Sequence, residues 1–123
     1  ITNLGQVNNV DLTIKGNTYV KGDIHTYDEK GEIITAETET GAGGVFGGGD
    51  SSAINGNTVV NIEGTSTTGT NIGVMNVYGG GNTAEVGGNA SVTLQGNSVV
   101  RGNVFGGGNE GVVEGSTVVN IEQ

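Results

Sequence analysis

The side chains able to do chemistry in this chain are few. There is one histidine, His25, no cysteine, and 13 aspartates and glutamates set against four lysines and arginines. A Ser-His-acid or Cys-His site would have to be assembled around His25, and the G-x-S-x-G pattern of a nucleophile elbow is absent. Without cysteine there is no disulfide framework and no thiolate zinc site. Paired carboxylates are the remaining option, because sugar-cleaving enzymes need two of them at a set separation. Glu63 and Glu122 occupy the same place in two copies of a repeat, in a column that reads Lys15, Glu63, Gln95, Glu122. Two strand spacings put those carboxylates about 10 Å apart, beyond the roughly 6.5–9.5 Å of inverting glycosidases. A column that alternates charged with neutral residues instead avoids like-charge repulsion. The expectation is a chain that is not an enzyme.

The glycine triplets at residues 47–49, 79–81 and 106–108 offer two further motifs, and neither fits. A phosphate-binding loop needs a helix behind it and usually a lysine, but no helical periodicity follows these triplets. Calcium-binding repeats supply an aspartate every nine residues; here Asp50 is followed by Asn82 and Asn109 at about three times that interval. No metal site and no cofactor are expected. An ice-binding face would need a regular threonine array, whereas Thr13 and Thr93 share their outward column with Asn61 and Asn120.

What must position these residues is a repeat. Three segments align without a gap: GVFGGGDSSAINGNTVVNIEG from Gly44, NVYGGGNTAEVGGNASVTLQG from Asn76 and NVFGGGNEGVVEGSTVVNIEQ from Asn103. The first and third share 12 of 21 positions. A partial copy starts at Asn9. The starts give periods of 32 and 27, the longer one explained by an insert at residues 65–69.

Within each copy the pattern has period two, the signature of a strand with one face buried. The inward columns are Val10, Leu12, Ile14; Thr58, Val60, Ile62; Ala90, Val92, Leu94; and Thr117, Val119, Ile121. Two further strand-like runs occur per copy, one from the VFGGG segment to Ile54, Val86 or Val113, the other around NTYVKG and NSVVRG. Short strands separated by Gly-Asn and Gly-Ser turns predict an all-β, parallel β-helix (solenoid) in which each copy pairs with the next. One domain over residues 1–123 is expected, with about four rungs at 4–43, 44–75, 76–102 and 103–123. Residues 24–43 break the pattern, and their two alternating arms around Glu29, Lys30 and Gly31 predict an inserted β-hairpin.

Asp50, Asn82 and Asn109 follow the glycine triplets, and Asn57, Asn89 and Ser116 follow the next turn glycine. They are expected to form turn ladders along the coil axis. Phe46, Tyr78 and Phe105 form one aromatic column, with His25 at the equivalent place in the first copy. With Val45, Val77 and Val104 inward, alternation turns the rings outward, where they stack on each other or offer a surface to a sugar or a protein.

Composition narrows the partners. A net charge of −9, with only Lys15, Lys21, Lys30 and Arg101 as cations, cannot neutralise a phosphate backbone, so nucleic acid is excluded as a partner. The apolar runs span only a few residues, so no membrane insertion is expected. The opening ITNLGQVNNV has no basic region followed by an apolar run. Both ends fall inside repeats, so the chain reads as a piece of something longer, and a leader could have been lost with the rest.

The recurring V-[FY]-G-G-G-[DN] followed by G-[NS]-x-x-V-x-[IL] resembles the repeats of large bacterial cell-surface proteins, particularly of gut Bacteroidetes. More loosely it is similar to the β-helical passengers of autotransporter adhesins and filamentous haemagglutinins. The resemblance covers residues 44–64 and 76–123 well and 9–25 in part. It implies a right-handed β-helix displayed outside the cell as a structural stalk or adhesin, with a surface glycan or protein as partner. It carries over no catalytic residue. Two other readings stand beside it: a carbohydrate-binding or carbohydrate-cleaving β-helix using the aromatic column, and a self-assembling fibre subunit joined end to end through unpaired strand edges.

Overall fold

A computed structural model describes residues 8–24, 29–32 and 39–122 of the chain. Among these residues all regular structure is strand: β1 (Val10–Ile14), β2 (Lys21–Ile24), β3 (Glu39–Ala42), β4 (Val45–Phe46), β5 (Thr58–Ile62), β6 (Val77–Tyr78), β7 (Ala90–Leu94), β8 (Val104–Phe105) and β9 (Thr117–Ile121). Strands β1, β5, β7 and β9 form one parallel sheet in that order, and β4, β6 and β8 form a second. The arrangement is a parallel stack of the solenoid type.

The register is the one the repeat alignment predicts. Leu12 pairs with Val60, Val60 with Val92 and Val92 with Val119, while Ile14, Ile62, Leu94 and Ile121 form the next column. A shift of one residue would turn every apolar side chain outward, so burial fixes this pairing. In the middle copies the columns close fully: Val60, Ile62 and Val92 have no exposed surface, and Val45, Val77, Val74, Val86 and Ile54 join them from the facing segments. Each such burial contributes about 1.5–3 kcal/mol. Thr58 is buried among them, its hydroxyl donating to the Gly79 carbonyl at 2.5 Å. No buried side-chain nitrogen or oxygen among the described residues lacks a partner.

The core thins at the last copy. Thr117, Val119 and Ile121 occupy inward columns, yet all of β9 is exposed, with Val119 at 39% and Ile121 at 63%. Their neighbours below are β7 residues, and no described strand lies on their other side.

The segments outside the two sheets are shorter than the sequence suggests. The run from the glycine triplet to Ile54, Val86 and Val113 does not continue as strand: the triplets turn the chain, and only single parallel bridges link Ile54 to Val86 and Val86 to Val113. Of the NTYVKG and NSVVRG runs only Lys21 and Gly22 are strand, in β2; Val100 makes a single bridge to Val74, and the Val20 amide donates to the Gly73 carbonyl at 3.3 Å. In the second copy, Ser66 and Gly73 are joined directly, Gly73 N–H donating to the Ser66 carbonyl at 3.1 Å. The extra residues of the longer period therefore leave the stack at 67–72, overlapping the 65–69 segment inferred from alignment and running past its end.

The insert in the first copy contains an antiparallel pair of strands. Lys21 pairs with Ala42 and Ile24 with Glu39, a register centred between Gly31 and Glu32. Residues 29–31 form a turn, where Gly31 takes the left-handed φ of 81° that glycine adopts without strain. The hairpin base lies three residues earlier than residue 24. Val20 and Gly43 hold it closed, Gly43 N–H donating to the Val20 carbonyl at 2.6 Å, and Gly43 in turn accepts from Met75 N–H at 2.8 Å.

Candidate functional site

Parallel pairing of β4, β6 and β8 places Phe46, Tyr78 and Phe105 in one register column. Val45 and Val77 beside them have no exposed surface, so the rings face outward. Phe46 and Tyr78 stack with centroids 4.7 Å apart and planes 3° from parallel; Tyr78 and Phe105 stack at 4.9 Å and 9°. The spacing is the strand spacing, and it lies within the range where aromatic pairs add about 0.5–1.5 kcal/mol beyond burial. Asn76 Nδ2 donates to the Tyr78 hydroxyl at 3.4 Å. The consequence for recognition is geometric. A sugar docks on the face of a ring, but both faces of Tyr78 are covered by its neighbours. Ring edges line this column, and Phe105, at its end, is 41% exposed. His25 lies outside the described residues.

The turn residues form directed ladders. Asn9 Oδ1 accepts from Asn57 N–H at 2.9 Å, Asn57 Oδ1 from Asn89 N–H at 2.8 Å, and Asn89 Oδ1 from Ser116 N–H at 2.8 Å. In the second ladder Asn82 Nδ2 donates to Asp50 Oδ1 at 2.7 Å and Asn109 Nδ2 to Asn82 Oδ1 at 3.0 Å. The Asp50 carboxylate is thus engaged by an amide of the next copy, and among the described residues no three acidic or histidine side chains gather as a metal would require. A third ladder escaped the sequence reading: Asn103 N–H donates to Asn76 Oδ1 at 2.8 Å. Its signal was visible, since both asparagines open their copies. Asn9 similarly extends the first ladder into the partial copy.

Comparison with protein-family models, curated proteins and solved structures finds no match to this chain. The chemistry must therefore be read from the residues alone. Lys15, Glu63 and Glu122 are exposed on the outer face. The acidic pair that does meet is one the column reading missed. Glu85 and Glu114 belong to adjacent copies but to different columns, because Glu85 precedes Val86 whereas Glu114 follows its bridge partner Val113. A hydrogen bond and charge repulsion from Glu114 raise the Glu85 carboxyl above its ordinary value of 4.5. Both lie on the open surface. The concavities sit elsewhere, as shallow open grooves along the Gly16, Gly64 and Gly96 turns beneath Thr67. Glu63 and the Asn17 and Asn97 side chains line them, with no ring of the aromatic ladder.

Proposed function

We propose that the chain is a non-catalytic structural or adhesive segment of an extracellular bacterial surface protein, built as a right-handed parallel β-helix of about four rungs. The observation that carries this reading is the stacking in register: inward valines and isoleucines, aromatic rings and turn asparagines each repeat from copy to copy with a hydrogen bond or ring contact between them. Such a construction invests its side chains in axial rigidity. The right hand is the one that parallel crossover connections adopt almost without exception. The surface location rests on the V-[FY]-G-G-G-[DN] resemblance.

Stacking on both faces of Tyr78 weighs against carbohydrate binding at the middle of the aromatic column, and the open position of Glu85 and Glu114 gives no cleft for cleavage. A glycan array and a polysaccharide-hydrolysis screen on the purified chain test the choice. The structural reading expects no turnover, and any glycan binding to be unchanged in Tyr78→Ala. Reducing-end release that disappears in Glu85→Gln or Glu114→Gln would overturn it.

A further inference from the structure

One turn of the stack leaves its asparagine uncommitted. Elsewhere the turn amides hold neighbouring copies together: Asn9, Asn57 and Asn89 accept from the backbone of the next copy, and Asn82 and Asn109 donate to the copy before. The turn at Gly16, Gly64 and Gly96 is built differently. Its second copy has Thr65 where the others have Asn17 and Asn97. Thr65 is buried, its hydroxyl accepting from Val99 N–H at 2.9 Å and donating to the Ser66 carbonyl at 3.1 Å. Thr65 N–H donates to the Asn97 carbonyl at 3.3 Å and not to the Asn17 side chain. The exposed Asn17 amide is left without a hydrogen bond to any described residue. The copy that would complete its ladder is present, so the open amide follows from Thr65 itself.

The same corner carries both departures from the repeat. The hairpin leaves the stack after Val20 and the 67–72 loop leaves it after Ser66, and hydrogen bonds between the two copies join their roots. Ser66 N–H donates to the Thr18 carbonyl at 2.9 Å, and Val20 N–H to the Gly73 carbonyl at 3.3 Å. In repeat proteins insertions gather on one face, often the face that binds. The loop is clasped at its base: Ser66 Oγ donates to the Asn71 carbonyl at 2.9 Å and accepts from Gly73 N–H at 3.1 Å. Between loop and turns lies an open groove of about 400 Å³, lined by Asn17, Glu63, Thr67 and Asn97 over glycine backbone. Ligand sites commonly measure about 300–1,000 Å³. The floor has to stay bare, because an added Cβ at Gly64 would sit 2.9 Å from the Gly16 carbonyl oxygen.

We propose that the groove between the 67–72 loop and the Gly16 and Gly64 turns binds a neutral carbohydrate chain. Its amide, hydroxyl and carboxylate groups supply both donors and acceptors, as sugar hydroxyls require. Lys15 and Glu63 follow the paired Ile14 and Ile62 on adjacent copies, so their opposite charges offset each other and select neither an anion nor a cation. The exposed large apolar residues Phe105, Val112, Val118, Val119 and Ile121 all lie outside the groove, which therefore lacks the apolar anchors that hold a protein partner. Asn17 and Asn97 stand two copies apart, about 10 Å by the strand spacing, so the bound chain runs along the stack and spans more than one sugar. This assignment rests on the adhesive part of the function proposed above and adds to it the site and the ligand class.

The probe is an array of neutral hexose and N-acetylhexosamine oligosaccharides, with sulfated and sialylated ones beside them, screened with the full chain. The strongest neutral binder is then titrated by calorimetry. Saturable binding is expected, weakened at least tenfold in Asn17→Ala and in Thr67→Trp, which fills the groove from the exposed loop, and unchanged in Tyr78→Ala. Both groove variants should melt with the parent, because Asn17 and Thr67 are exposed. If Asn17→Ala melts earlier, Thr67→Trp decides alone. Three results overturn the assignment: no neutral oligosaccharide bound, binding confined to the acidic glycans, or binding that the groove variants leave intact. Each of these leaves the structural reading standing. Reducing-end release that is lost in Glu85→Gln would instead sink the non-catalytic reading, and the groove variants would not affect it.

Discussion

The Glu85 and Glu114 carboxyls make the most direct statement about how single residues set the behaviour of this chain. Folding brings Glu114 beside Glu85 and raises the Glu85 carboxyl, through a side-chain hydrogen bond first and charge repulsion second. The folded Glu85 holds its proton to a higher pH than the unfolded one, so the folded state binds more protons between those two values. Stability from the shared proton is therefore complete below about 4.5, the ordinary value, and is lost as pH rises through the raised one. Glu85→Gln is expected to raise the melting temperature at pH 7, where it removes repulsion, and to lose that advantage near pH 4. Thermal melts of both proteins across that range check it, and an equal gain at both ends would show that the pair is not the cause. This contact was hidden in the sequence because column alignment compares residues at equal offsets, whereas Glu85 and Glu114 meet on a diagonal. The contacts at equal offsets were legible: the spacing of Val60, Val92 and Val119 fixes their column, and the asparagines after turn glycines fix two ladders.

At the scale of elements, what sequence periodicity revealed was set by strand length. The five-residue strands β5, β7 and β9 carry enough alternation to assign every inward side chain. The segments between Gly79 and Val86, or around Val74 and Val100, are too short and too rich in glycine to sustain a ladder, so apolar residues there make single bridges. The hairpin was legible from its turn but not from its base, because Lys21 to Ile24 matches the repeat in sequence while pairing with Glu39 to Ala42 in space. That base makes the insert separable. Val20 and Gly43 already touch through a backbone hydrogen bond, and Gly43 occupies the place beside Met75 that Gly102 takes one copy further on. Replacing residues 21–42 with one arginine, as Arg101 separates Val100 from Gly102, should therefore keep the parallel stack. The expected result is a retained β-sheet circular dichroism spectrum and a melting temperature lowered by no more than about 4–8 °C, equivalent to about 1 kcal/mol. Loss of cooperative melting would mean that the hairpin is part of the core.

Across the whole molecule, stability is distributed as in a one-dimensional array, each copy held by its own residues and by the copies on either side. Copies bounded by two neighbours should open last, and the copy with one neighbour first. The exposures give the order: β5 and β7 bury Val60, Ile62 and Val92 completely, whereas every residue of β9 is exposed. The other end is not equivalent, since Ile14 in β1 is 5% exposed against 63% for its column partner Ile121. Native-state amide exchange should thus show a gradient along the axis, with the amides of Val60 and Val92 protected to near the global unfolding free energy and those of β9 exchanging through local opening well below it. A chain in which all four long strands exchange at one common free energy would instead unfold as a single cooperative block. The open layer would then be as firmly held as the buried ones, and stacking on the copy below would alone suffice to stabilise it.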